Sequence, residues 1–366
     1  MKGIEEALIF DDSDQLPNFG PPFMAHAPAS SAPILAPLTR SHDVGAVITT
    51  CSEPTAKEAI RVIRKENARA AILLDAERYR GGSRGIGARC MTTDWINMQT
   101  RIGLRWALTD SGYIPAGDLD ALRAVLAWGA GATQVITALP LAIQWLTVDR
   151  DLLIAELTAA VQPVALMLES KGDPLAAKEA VTGLIAVLRC PTPMLLLRSD
   201  TSVLGALAHG AAAVSVGTKS GLRHIYPIAA DDDNGFIPPP CPSAYVPALK
   251  SYKRLTTIED GITRNPDLDL WRCNCSVCHG RSIAWIVFAA DPESAAFEHS
   301  LAAQSDLARA LLARPPATRG SEWKMMCARA QVEHDRIVKR NDKTWEPADA
   351  LSAWVSSTPH PQASTP

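Results

Sequence analysis

The chain is poor in aromatic residues, carries no excess of charge of one sign, and has no long apolar run. Aromatics make up 5% of its 366 residues. The nine tryptophans among them include Trp106, Trp128 and Trp145, which fall in or beside regular apolar elements and read as core rather than as stacking platforms. The formal net charge of −3 gives no global attraction to nucleic acid, so any such binding requires a local patch. No uninterrupted apolar run reaches the length that spans a bilayer, and no membrane partner is expected. Met1 to Phe10 carries acids where a secretory leader would have its basic region. Five of the eight cysteines (Cys51, Cys90, Cys190, Cys241 and Cys327) are scattered, which excludes a dense disulfide framework. A reducing, cytoplasmic setting is the expectation. No internal repeat is visible beyond the rhythm described next.

What is present is a βα rhythm. From about residue 44, short apolar runs alternate with stretches of helical period. The runs cover residues 46–50, 70–79, 106–114, 133–141, 163–170, 193–200 and 211–218. Each begins nearly continuous in apolar residues and ends in polar ones, as buried parallel strands do. Helices are expected at Glu53–Lys65, Ala116–Trp128, Asp149–Val161 and Pro174–Leu188. Seven such units predict an α/β protein, a (β/α)8 TIM-like barrel with a C-terminal zinc-binding subdomain. The eighth strand is not evident; one place for it is Arg254–Ile258. The expected division is a Pro/Ala-rich arm over 1–43, the barrel over 44–260, a zinc-binding and helical subdomain over 261–350, and a disordered tail over 351–366. Trp271, beside the cysteines, is expected to pack that subdomain onto the barrel.

The remaining three cysteines lie within six residues: Cys273, Cys275 and Cys278. A short hairpin can aim three thiolates at one tetrahedral centre. His279 directly follows Cys278, so one turn cannot point both at the same ion. His299, on the next helical stretch, can fold back as the fourth ligand. A closed Cys3His set predicts a structural Zn2+ with no open position for a catalytic water.

The knuckle, the His299 helix and the Leu/Ala-rich continuation 300–313 resemble the tRNA-guanine transglycosylases. The segment Met194–Gly210 is similar to the strand–loop–helix that precedes the family's nucleophile strand. The resemblance covers about residues 44–313. It implies a (β/α)8 barrel that exchanges a guanine-type base for a 7-deazaguanine in tRNA or, in related enzymes, in DNA. It also implies a nucleic-acid partner, a purine-like base, and a homodimer or a heteromer with a catalytic or modification partner. Such chemistry needs a carboxylate that attacks an oxocarbenium-like centre and then leaves again. In one register Asp75 matches the family's acid/base aspartate and Asp110 its base-recognition aspartate. In the other, the loop Leu108-Thr109-Asp110-Ser111-Gly112-Tyr113 places Asp110 at the acid/base position, with Ser111 and Gly112 as substrate-binding neighbours. Both aspartates follow strands, where barrel active sites lie, although capping of the next helix would equally account for them.

The nucleophile position departs from the family: Ser215 stands where an aspartate belongs. A serine without a base is a poor nucleophile. Glu169 and Asp200, on neighbouring strand ends, are the available substitutes. Lys219, Arg223 and His224 form a basic loop suited to a phosphate, or simply to solvent. The alternative to an enzyme is therefore a catalytically inactive nucleic-acid-binding or partner subunit that keeps the barrel and the zinc lobe. A glycine turn at 81–87 looks like a dinucleotide fingerprint, but it does not directly follow a strand, and no tyrosine has a lysine four residues later. A mobile loop over the barrel mouth is the expected role for it.

Overall fold

The strand missing from the sequence reading lies inside the Pro/Ala-rich segment. In the computed structural model, Phe23–Pro28 (β1) is a buried strand in the middle of an eight-stranded sheet. The structure describes residues 16, 19–228, 241–337 and 343–357. The other strands are Gly45–Thr49 (β2), Ile72–Asp75 (β3), Ala107–Leu108 (β4), Val135–Ala142 (β5), Val164–Glu169 (β6), Met194–Ser199 (β7) and Ala213–Gly217 (β8). They run in the order β3-β2-β1-β8-β7-β6-β5-β4, with all pairs parallel. β3 and β4 face each other across the remaining gap. Beyond their ends Ile86 pairs with Tyr113, which stitches that gap at the C-terminal mouth. This is a nearly closed (β/α)8 barrel, and all seven expected runs supply strands.

The helices on its outside are Ala32–Ser41 (α1), Glu53–Glu66 (α2), Thr93–Arg101 (α3), Leu119–Gly129 (α4), Arg150–Ala159 (α5), Lys178–Val187 (α6) and the short Leu204–Leu207 (α7). Local chemistry starts several of them. The side chains of Ser52, Thr92 and Asp118 accept the backbone N–H of Thr55, Trp95 and Ala121, satisfying donors that a helix N-terminus leaves free.

The C-terminal lobe has its own core. A hairpin of Ser243–Val246 (β9) and Ser251–Arg254 (β10) leads into Leu255–Arg264 (α8), the cysteine knuckle, Ala284–Val287 (α9) and Pro292–Leu312 (α10). Tyr245, Ile258, Trp271, Ile283 and Trp345 are buried together there with the three cysteines. Pro316–Ile337 (α11) and Asp349–Ser357 (α12) then return to the barrel. Trp354 is fully buried edge-on to Trp323, their ring centroids 6.1 Å apart, over Gly205 of α7.

Several expected boundaries are corrected. Of the expected arm over 1–43, residues 23–41 are not an arm: β1 and α1 form the first barrel unit, and the barrel strands end at Gly217 rather than near 260. Arg254–Ile258 closes a hairpin and opens α8 instead of supplying a barrel strand. Residues 351–357 are helical and packed; 358–366, like 229–240 of the Pro-rich loop, lie outside the described residues. Trp271 packs within the lobe, against Gly261 and Trp345, and not onto the barrel. Among the described residues no helix is long and apolar enough to cross a membrane.

Candidate functional site

At the barrel mouth, β1, β3, β7 and β8 send polar side chains inward onto one another. Asp75, at the end of β3, accepts from His26 Nε2 at 3.0 Å and from the Tyr79 hydroxyl at 2.5 Å, and its other oxygen accepts the Glu77 N–H at 2.9 Å. The other ring nitrogen of His26 lies 3.4 Å from Ser215 Oγ, which in turn accepts the Arg198 N–H at 2.9 Å. Burial pushes the Asp75 carboxyl up. The His26 hydrogen bond, the His26 and Arg198 charges and the Tyr79 hydroxyl outweigh it, and hold the carboxyl below its ordinary value.

The order Ser215–His26–Asp75 is that of a nucleophile, a base and the acid that orients the base. The surroundings are not those of an open site. Ser215 and His26 are 0% exposed and Asp75 is 2% exposed. Above them Arg198 crosses the mouth, donating to Glu77 at 2.5 Å, to the Gly221 carbonyl at 2.6 Å and to the His224 carbonyl at 3.2 Å. Arg198 sits at an irregularity in the β7–β8 register with a left-handed φ of 52°, and this aims its side chain across the barrel.

Asp110 is also engaged. It accepts the backbone N–H and the hydroxyl of Thr92, each at 3.1 Å, and so braces the residue that caps α3. Burial raises its carboxyl above the usual range, against the opposing Thr92 bonds. Ser111 is buried on Thr109, with 2.8 Å between the hydroxyls. Gly112 lies so close to the glycine turn that a Cβ there would stand 2.5 Å from the Gly85 carbonyl. The expected mobile loop is instead pinned to this strand: Tyr113 donates to Gly85 O, Gly87 to Tyr113 O, and Gly112 to Gly87 O.

The substitute carboxylates are tied as well. Glu169 is bound by Arg84 and by the Tyr113 hydroxyl. Asp200 accepts from His224 Nδ1 at 3.2 Å and faces Arg223 at 3.8 Å. Arg223 lies over the Tyr252 ring, 4.3 Å from its centroid, while Lys219 is exposed. The structure therefore gathers Asp75, Ser215 and Arg223's neighbours around one mouth, with Asp110 at its edge. Sequence reasoning missed His26 and Arg198. A lone histidine inside the apolar run Phe23–Ala27 was the available signal, because a buried imidazole requires partners.

The lobe carries the clearest site. The ligand atoms of Cys273, Cys275, Cys278 and His299 all lie within 4.8 Å of one another, and all four residues are buried. Such a set fits a metal ion held tetrahedrally. His299 Nδ1 lies 3.2 Å from Cys278 Sγ and 3.6 Å from Cys275 Sγ, while its Nε2 donates to the Tyr245 carbonyl at 2.8 Å. That outer bond fixes the tautomer that leaves Nδ1 free to ligate. The Cys275 and Cys278 N–H groups and the Trp285 indole donate to the sulfurs. His279 points elsewhere, in a left-handed turn with φ of 51°, followed by Gly280 at 86°.

No family model and no curated protein matches the chain. Among solved structures it is similar to a mandelate oxidase, at 15% identity over 53% of this chain and 64% of that one, with a TM-score of 0.30. It is also similar to the carboxyl transferase domain of Rhizobium etli pyruvate carboxylase with pyruvate, at 11% identity over 92% and 60%, TM-score 0.37. The complete Rhizobium etli enzyme follows at 13% identity over 93% and 36%, TM-score 0.34. The chain spans less than two thirds of the length of each. Likenesses this weak say nothing of its chemistry.

Proposed function

We propose that this chain is a transglycosylase-like barrel that does not exchange bases and acts as a nucleic-acid-binding or partner subunit, its lobe held by a structural zinc ion. The observation that carries this reading is His26. It bridges Asp75 and Ser215 at 3.0 and 3.4 Å and fills the space between them. Base exchange needs a free carboxylate nucleophile and a second group to move the proton. Here Asp75 is sealed by His26, Tyr79 and Arg198, Glu169 by Arg84 and Tyr113, and Asp110 by Thr92.

One observation favours the second reading, an active exchange enzyme: Asp110 has a raised pKa, as a general acid requires. Calorimetric titration with guanine and with a 7-deazaguanine separates the two. A filled mouth predicts no binding up to millimolar ligand. Micromolar binding that disappears in Asp110→Asn would overturn the proposal. For the metal, three thiolates and one imidazole in a closed set favour Zn2+ over harder cations. Elemental analysis of protein purified without chelators is expected to find one zinc per chain; less than half an equivalent contradicts it.

A further inference from the structure

The outer wall of the barrel between α2 and α3 carries a feature that the mouth and the lobe leave unexplained. A groove of about 690 Å3 is lined by Lys57, Arg61, Arg64, Lys65 and Arg101, with only Ile60 and Ile102 besides. A neighbouring cleft of about 250 Å3 shares Arg64 and adds Arg69 and Arg105 beside Trp106. Glu53 and Glu58 border the groove and pair with three of its five cations, leaving Arg64 and Lys65 without a carboxylate in these pairs. This concentration of cations stands out in a chain whose net charge is −3.

Arg64 is held in place by the carbonyls of Ile102 and Gly103, at 3.0 and 2.7 Å. Lys57, Arg61 and Arg101 pair with Glu53 and Glu58 at 2.8, 2.6 and 3.0 Å, through exposed side chains. Exposed pairs of this kind are weak in water, so a phosphate oxygen can share or displace them. Cations in the last turn of a helix also answer its dipole, which accounts for Arg64, Lys65 and Arg101. It does not account for Lys57 and Arg61, two turns and one turn earlier, or for Arg69 and Arg105 beyond the helices. Positions 57, 61, 64 and 65 share one helix face and span about 12 Å of its axis. A row of that length suits a chain of phosphates better than one small anion. The Trp106 indole N–H, at the cleft, is buried without an acceptor.

The last turn of the strip's helix and the zinc knuckle are linked through α1. Asn67, after α2, donates to Thr39 of α1 at 2.8 Å, and His42, after α1, bonds Ser276 of the knuckle at 2.9 Å. We infer that the strip docks a phosphodiester backbone, of tRNA or of duplex DNA, on the outer wall of the barrel, outside the closed mouth. The inference rests on the nucleic-acid arm of the proposed function.

The test measures fluorescence anisotropy of the full chain with a tRNA transcript, a short DNA duplex and poly-glutamate across a salt series. Arg61→Gln/Lys65→Gln removes two strip charges without touching the anchored Arg64. Lys178→Gln/Arg189→Gln removes two from the far wall. The strip variant is expected to bind one of the nucleic acids about 10-fold more weakly or worse, with its slope of log K on log salt reduced by about one to two. The control variant is expected to match the wild type. If the wild type binds and the strip variant keeps both affinity and slope, the strip assignment falls while the nucleic-acid reading stands. If the wild type binds neither nucleic acid, both fall. If poly-glutamate binds as tightly and with the same loss, the surface recognises an acidic protein and the phosphodiester assignment is overturned.

Discussion

His26 organises the mouth, and its removal should be felt in stability rather than in turnover. His26→Ala leaves Asp75 short of a charge-assisted partner and opens a void between β1 and β8. The expected loss is about 3 kcal/mol or more, measured by urea unfolding. Ser215→Ala removes only the hydroxyl that accepts the Arg198 N–H, and about 1–3 kcal/mol should be lost. Two carboxyls shift in opposite directions, and they give opposite dependences on pH. Asp75 is held below its ordinary value, so its contribution is present above the unfolded carboxyl value of about 3.9 and is lost as the pH falls through its lower folded value. Burial, and then the nearby Asp200, push Asp173 up to about 6. The folded state therefore binds that proton more tightly than the unfolded chain. Stability falls as the pH climbs from about 4 to about 6, and the penalty persists above that range. Asp173→Asn keeps an oxygen for the Leu175 N–H that it caps. The variant is expected to unfold at higher urea than wild type at pH 8, with the gap closing toward pH 4. Equal midpoints at both pH values would show that Asp173 is not strained by its charge.

The elements differ in how much of them the sequence reveals. The seven apolar runs were legible because buried parallel strands are nearly continuous in apolar residues, as in Val164–Leu168 or Met194–Leu197. β1 was not, because Phe-Met-Ala-His-Ala-Pro is short, Ala-rich and bounded by prolines. It becomes a strand because the barrel supplies partners on both sides, β2 and β8. The Cys3His cluster was legible, since ligand identity and spacing are local chemistry. The closed mouth was not, because His26, Asp75, Arg198 and Ser215 meet only through closure of the barrel. Tertiary contacts also fix α12, where Gly205 leaves room for Trp354: a Cβ there would stand 2.3 Å from Trp323 and 2.7 Å from Trp354. Gly205→Ala should therefore expel the Trp354 ring, lose about 1–3 kcal/mol and raise tryptophan exposure to quenchers. In the lobe, Cys278→Ser removes a ligand and the acceptor of the Trp285 indole. It should abolish stoichiometric metal and unfold the lobe while the barrel, with its separate core, keeps its far-UV signal.

At the scale of the molecule, the barrel and the lobe divide the work. In the proposed reading a metal ion secures the small lobe, and α11 and α12 pack on the barrel through Trp323 and Trp354. The mouth, where barrels of this architecture place their chemistry, is filled by the chain's own side chains, and the basic strip lies on the outer wall. The most direct test of the silent-barrel account is incorporation of labelled guanine into tRNA and into duplex DNA, with wild type, Asp75→Ala and Asp110→Ala assayed side by side. The account predicts that the wild type incorporates no more label than the two variants or a protein-free control. Incorporation by the wild type that disappears in either aspartate variant would contradict it.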